Sequence, residues 1–138
     1  MARILILVAG LGLIGAAAYW FLTAPNAAEI CPLDNRQTAP SGRALSLCDV
    51  VYEIQPNNDV WAVVRVLDAG LQANAGQEDH DWACETWGLA ALEKEPRPTR
   101  IVVQIMAEPF VRGEPAPGIT QAIEAYSAPG NTCQWELL

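Results

Sequence analysis

The chain has 138 residues, 51% of them hydrophobic, and its 16 acidic against 8 basic side chains leave a formal net charge of −8. A surface this acidic lacks the cationic patches that hold nucleic acid or anionic lipid headgroups, and suits a cationic partner or solubility alone. One small domain is the natural unit at this length, and four cysteines, an even number, read as two disulfides in an oxidising compartment.

Residues 4–22 carry no charge, follow Arg3, and close on Tyr19, Trp20 and Phe21. Nineteen residues at ~1.5 Å rise nearly cross the ~30 Å hydrocarbon core of a bilayer, which predicts a transmembrane helix with an aromatic belt at its far interface. The alternative is a secretory signal cleaved at Ala16, Ala17 and Ala18. Cleavage there leaves an aromatic new terminus, and Pro25 and Asn26 obstruct later sites, so residues 1–22 are read as an uncleaved signal-anchor. Arg3 on the near side sends residues 23–138 to the far side by the positive-inside rule. Ile30 before Cys31 does not fit a lipidated cysteine. Gly12 and Ala16 stand in small-xxx-small register and form a candidate face for docking another membrane helix.

Residues 23–42 hold Pro25, Pro32 and Pro40 and predict an irregular linker, with the folded domain occupying 43–138. Leu45, Leu47, Val51, Tyr52 and Ile54 suit a strand, Pro56-Asn57-Asn58-Asp59 a turn, and residues 60–67 a second strand, so the two form a hairpin. In the second strand Val60, Ala62, Val64 and Val66 make one apolar face, while Arg65 on the other reads as a solvated charge. After a loop the period changes. Glu78, Asp79 and Asp81 place negative charge at a helix start, and Gly88 fits a C-cap, giving a helix over about 79–87 with Ala83, Cys84 and Trp87 inward and Trp82 flanking.

Pro96 and Pro98 interrupt the chain before residues 100–106, a β-branched run suited to a central strand. Pro115 and Pro117 mark a loop. Residues 119–127 fit either a helical stripe or a strand, the strand being preferred, and residues 132–137 form a last strand. The expected fold is α+β: a small antiparallel sheet with one packed helix. Four cysteines allow three pairings; Cys84 with Cys133 staples helix to last strand, leaving Cys31 with Cys48 to tie the lead-in to the first strand.

Candidate chemistry is sparse. Glu78-Asp79-His80-Asp81 is the most ligand-like cluster, but consecutive helical side chains diverge by about 100°, so the reading is helix-start electrostatics with no metal site. His80 and Cys84 share a helix face in the manner of a base and a thiol, against which stands the expectation that Cys84 is oxidised. No serine-nucleophile, phosphate-loop or dinucleotide pattern occurs, and neither catalytic residue nor cofactor is assigned. Glu53, Glu85, Glu124 and Glu136 are potential acid-base groups that no spacing brings together. Trp61, Trp82, Trp87 and Trp135 read first as core and second as a ligand-lining face.

Pro40-Ser41-Gly42, Cys84-Glu85-Thr86, Glu124-Ala125-Tyr126 and the terminal Cys133-Gln134-Trp135-Glu136, after an export segment, give the chain a layout that resembles a family of short exported bacterial proteins of unknown function. The resemblance implies placement rather than activity. The resulting expectation is a single-pass protein of the bacterial inner membrane with a periplasmic domain, acting as an accessory to a larger membrane complex or meeting a cationic periplasmic protein. The alternative is a tethered or secreted small-molecule-binding domain or an unrecognised hydrolase.

Overall fold

The computed structural model describes residues 31–32, 34–72 and 76–138. The expected transmembrane helix, with Gly12 and Ala16, lies outside the described residues. Among those described, no helix is long and apolar enough to cross a membrane.

Among the described residues six strands make one sheet in which spatial order follows chain order: β1 (Gln37–Thr38), β2 (Ala44–Ile54), β3 (Val60–Leu67), β4 (Arg100–Met106), β5 (Gln121–Ser127) and β6 (Gln134–Glu136). The expectation of an antiparallel sheet fails at its centre, where β3 and β4 run parallel in the register Val63 to Val102 and Arg65 to Gln104. A helix lies in the connection between them, and parallel neighbours require such a crossover. The remaining pairs are antiparallel, so the sheet is mixed and the class remains α+β. The lead-in is also less irregular than expected, because β1 pairs Gln37 and Thr38 with Leu45 and Ala44.

The helix begins as α1 (Gln77–Ala83), widens through a π turn over Cys84–Gly88 and finishes as α2 (Leu89–Ala91). Gly88 is not a C-cap: it sits inside the helical run at φ −69°, ψ −41°. Its backbone lies so near β4 that a Cβ would stand 2.8 Å from Ile101 Cγ2. Glycine there lets the helix settle onto the sheet.

Beneath the helix, Leu45, Val64, Val66, Ile101, Val103 and Ile105 meet Ala83, Cys84 and Leu92, all buried. Trp82 and Trp87 pack at the border of this core, edge to face, with ring centroids 5.1 Å apart. Fully burying one such aliphatic side chain contributes roughly 1.5–3 kcal/mol, which makes this layer the main source of stability. The helix is fixed at three further points. Gln77 Nε2 donates to the Tyr126 hydroxyl at 2.9 Å, and that hydroxyl donates to Asp81 Oδ1 at 2.7 Å. Cys84 is bonded to Cys133, and the Tyr52 hydroxyl donates to the Ala91 carbonyl at 3.1 Å. Burial and the bond to Asp81 push the Tyr126 pKa well above the ordinary tyrosine value.

A bulge between Leu47 and Asp49 shifts the phase of β2. Leu47 faces the helix, Cys48 is the extra residue, and Asp49 then shares a face with Arg65. Cys48 bonds Cys31 and, with Leu67, Met106 and Phe110, builds a second small core on the opposite side of the sheet.

Candidate functional site

The side of the sheet away from the helix takes one residue in two from each strand: Asp49 and Glu53 from β2, Trp61 and Arg65 from β3, Gln104 from β4, Gln121 and Ile123 from β5. Among the described residues no helix covers this face; the proline-rich 107–118 connection folds back over part of it. A turn in that connection, closed by Glu114 N–H to the Val111 carbonyl at 3.2 Å, has Gly113 at φ +88° in its third position, where a side chain would be strained. Arg112 stands at the turn's apex and reaches back to the sheet.

Its guanidinium grips Glu53 with two hydrogen bonds, Nε to Oε1 at 2.7 Å and Nη2 to Oε2 at 3.1 Å, while Nη1 donates to Gln104 Oε1 at 3.0 Å. Gln104 is 1% exposed and passes the chain on, its Nε2 donating to Gln121 Oε1 at 2.5 Å. These groups, with Phe110 and Ile123, line an open groove of about 620 Å³. A second hollow of about 350 Å³ lies on the same face around Trp61, Arg100 and Glu136, where Arg100 stacks on Trp61 at 5.0 Å and pairs with Glu136 at 3.0 Å.

Arg65 corrects the sequence reading most sharply, since it is 1% exposed and not a solvated charge. Its Nη1 meets Asp49 Oδ2 at 3.0 Å, Nη2 donates to the Phe110 carbonyl, and the Phe110 ring covers the guanidinium at 5.1 Å. Among the described residues its Nε has no hydrogen-bond partner. Burying a charge is tolerable only with such pairing. The cue in the sequence was an arginine amid valines on a central strand; its partners lie 16 and 45 residues away and left no local trace.

The residues singled out from sequence scatter. Cys31 joins Cys48 and Cys84 joins Cys133, so Cys84 carries no thiol for His80 to activate. His80 is buried, its Nδ1 3.2 Å from the Gly76 carbonyl and its Nε2 3.3 Å from the Ala122 carbonyl. Asp79 accepts from Ser41 Oγ at 2.5 Å, and Arg43, which bonds Asp68 at 2.6 Å, lies 3.7 Å from Asp79. Asp79 and His80 thus secure the helix start to its neighbours. Among the described residues no group of three or more histidine, cysteine or acidic side chains is placed to hold a metal ion. Glu53 serves the groove, Glu85 accepts the Cys133 N–H at 2.8 Å, Glu124 accepts from Trp135 Nε1 at 2.6 Å, and Glu136 pairs with Arg100.

The far edge of the sheet has another character. Trp135 on β6 is 46% exposed, Leu137 beyond it 79%, and the carboxylates of Glu124 and Glu85 stand against this strand. Of the four tryptophans picked out from sequence, Trp61, Trp82 and Trp87 are partly buried and Trp135 is exposed.

Residues 20–138 match a family described as a family of unknown function, DUF6497. The chain belongs to that family. No curated protein and no solved structure matches it. The match takes in every described residue, so the stapled domain and its open face are this member's form of the family fold. Two disulfides in one small domain point to an oxidising, extracytoplasmic environment.

Proposed function

We propose that the protein is a membrane-anchored accessory protein of the bacterial cell envelope. In this reading residues 4–22 hold it in the inner membrane, Gly12 and Ala16 face a neighbouring membrane helix, and the stapled domain in the periplasm docks onto a cationic surface of a larger complex. The observation that carries the reading is Trp135, a large aromatic left 46% exposed on a three-residue edge strand beside the carboxylates of Glu124 and Glu85. Such an indole is a typical anchor at an interface, and flanking acids select a positively charged counterpart. The net charge of −9 over residues 23–138, from seven basic and sixteen acidic side chains, supports the same choice of partner.

The test is extraction of the full-length protein from native membranes in mild detergent, followed by sizing and identification of what travels with it. A discrete larger assembly that dissolves in Trp135→Ala, with the disulfides intact, is the expected result. A monodisperse monomer, or an assembly indifferent to Trp135→Ala, overturns the docking role.

A further inference from the structure

The groove on the open face has no part in that docking reading, and its hydrogen-bonding pattern specifies a ligand class. We infer that it is a binding site for a neutral, polyhydroxylated ligand, a saccharide.

Charge comes first. The groove holds Glu53 and Arg112 clamped together, so the pair offers a ligand no net charge to neutralise, and the exposed Glu114 at the mouth adds a negative one. An anion is opposed by Glu114 and by the acidic domain as a whole; a cation finds the deeper carboxylate already engaged.

Hydrogen-bonding capacity then narrows the class. Glu53, Arg112, Gln104 and Gln121 form one connected run of planar polar groups, each holding the next. Gln104, buried at the floor with both amide atoms bonded, fixes the run in place. What remains unused among the described residues is ordered: the Gln121 amide N–H groups, one further N–H on each terminal Arg112 nitrogen, and a lone pair on each Glu53 oxygen. Donors on Gln121 and Arg112 and acceptors on Glu53 therefore stand at fixed positions along one wall. A hydroxyl both donates and accepts, and adjacent hydroxyls on a rigid ring repeat that pairing at matching intervals. The Phe110 ring and Ile123, the latter 39% exposed, supply apolar surface for the C–H face of such a ring. The volume of about 620 Å³ falls within the ~300–1,000 Å³ range of small-ligand sites.

A network that merely pinned the 107–118 connection would show the same internal bonds, and the experiment must separate the two. Full-length protein in a detergent without sugar headgroups is titrated with maltotetraose and with the tetramer of N-acetylglucosamine, following the side-chain amide resonances of Gln104 and Gln121; phosphate and glutamate serve as charged controls. Saturable shifts with at least one oligosaccharide and none with the controls are expected. Gln121→Ala, at an exposed position outside the Arg112 clamp, should weaken binding about tenfold, the loss of one or two hydrogen bonds, and lower the melting temperature because buried Gln104 Nε2 loses its acceptor; Ile123→Glu, which removes no bond of the network, should abolish binding with the melting temperature unchanged. The absence of saturable shifts with either oligosaccharide, equal shifts with the charged controls, or unaltered binding by both variants overturns the inference. The Trp135→Ala result bears on the docking edge alone, so the two readings fail separately.

Discussion

Removing the Cys84–Cys133 bond by Cys84→Ala and Cys133→Ala tests how the helix is held to the sheet. The bond spans a sequence separation of 49 residues, and the loop-closure entropy regained by the unfolded chain is worth about 4 kcal/mol in the chain-entropy model. The separation of 17 between Cys31 and Cys48 gives about 3 kcal/mol by the same relation. Cys84 is fully buried, so alanine also leaves a small cavity worth about 1 kcal/mol, which chemical reduction of the wild type avoids. Against the ~5–15 kcal/mol that typically separates folded from unfolded, these are large fractions. Urea unfolding followed by tryptophan fluorescence, with Trp82 and Trp87 on the helix as reporters, should rank the proteins in a definite order. Oxidised wild type comes first, then the Cys31→Ala/Cys48→Ala variant, then the Cys84→Ala/Cys133→Ala variant, and last reduced wild type, which loses both bonds. A Cys84/Cys133 variant within about 1 kcal/mol of wild type, or less destabilised than the Cys31/Cys48 variant, would refute the reasoning.

Gly88→Ala should destabilise by about 1–3 kcal/mol in the same assay, because the new methyl meets Ile101 Cγ2 at 2.8 Å; a gain of about 1 kcal/mol, as helix propensity alone predicts, would show that the helix can lift from the sheet at no cost. Tyr126 has a folded pKa raised by burial and by Asp81, so between the unfolded value of about 10 and the folded one the native state keeps a proton that the unfolded chain has lost. That contribution to stability is whole below about pH 10 and declines above it, by up to about 1.4 kcal/mol per pH unit. Tyr126→Phe should flatten this alkaline slope while lowering stability at neutral pH, where the bonds to Asp81 and Gln77 are lost; urea titrations from pH 8 to 11 on both proteins, the range chosen to straddle the ordinary tyrosine value, decide it.

How much of this was legible in the chain depended on whether the deciding contact was local. The β2–β3 hairpin was, since Pro56-Asn57-Asn58-Asp59 is a turn whatever surrounds it and the strands beside it pair directly. β4 was equally plain from its β-branched run, and the helix start from its acidic residues. The parallel pairing of β3 and β4 followed from where the helix falls between them, but alternation within a strand is the same for either direction. The bulge left a trace, inward residues moving from Leu45 and Leu47 to Val50 and Tyr52, and Cys48 sits at the change of phase. Gly88 misled because a glycine at the end of a helical stripe serves a cap as readily as a close approach to a neighbour, and only the position of Ile101 separates these. The groove was the least legible part. Glu53, Gln104, Arg112 and Gln121 come from two outer-half strands, the central strand and a loop, and the sheet register that gathers them is nowhere written in any one segment.

The central claim is that an oxidised, doubly cross-linked domain is held outside the membrane by its own uncleaved N-terminal segment. Native membranes treated with a thiol-alkylating reagent before lysis, then digested without reduction and analysed by mass spectrometry, test it in one measurement. The account predicts membrane-associated protein that retains residues 4–22, linked peptides joining Cys31 to Cys48 and Cys84 to Cys133, and no alkylated cysteine. Alkylation at all four cysteines, or a chain that begins after residue 22 and is recovered free of the membrane, would contradict it.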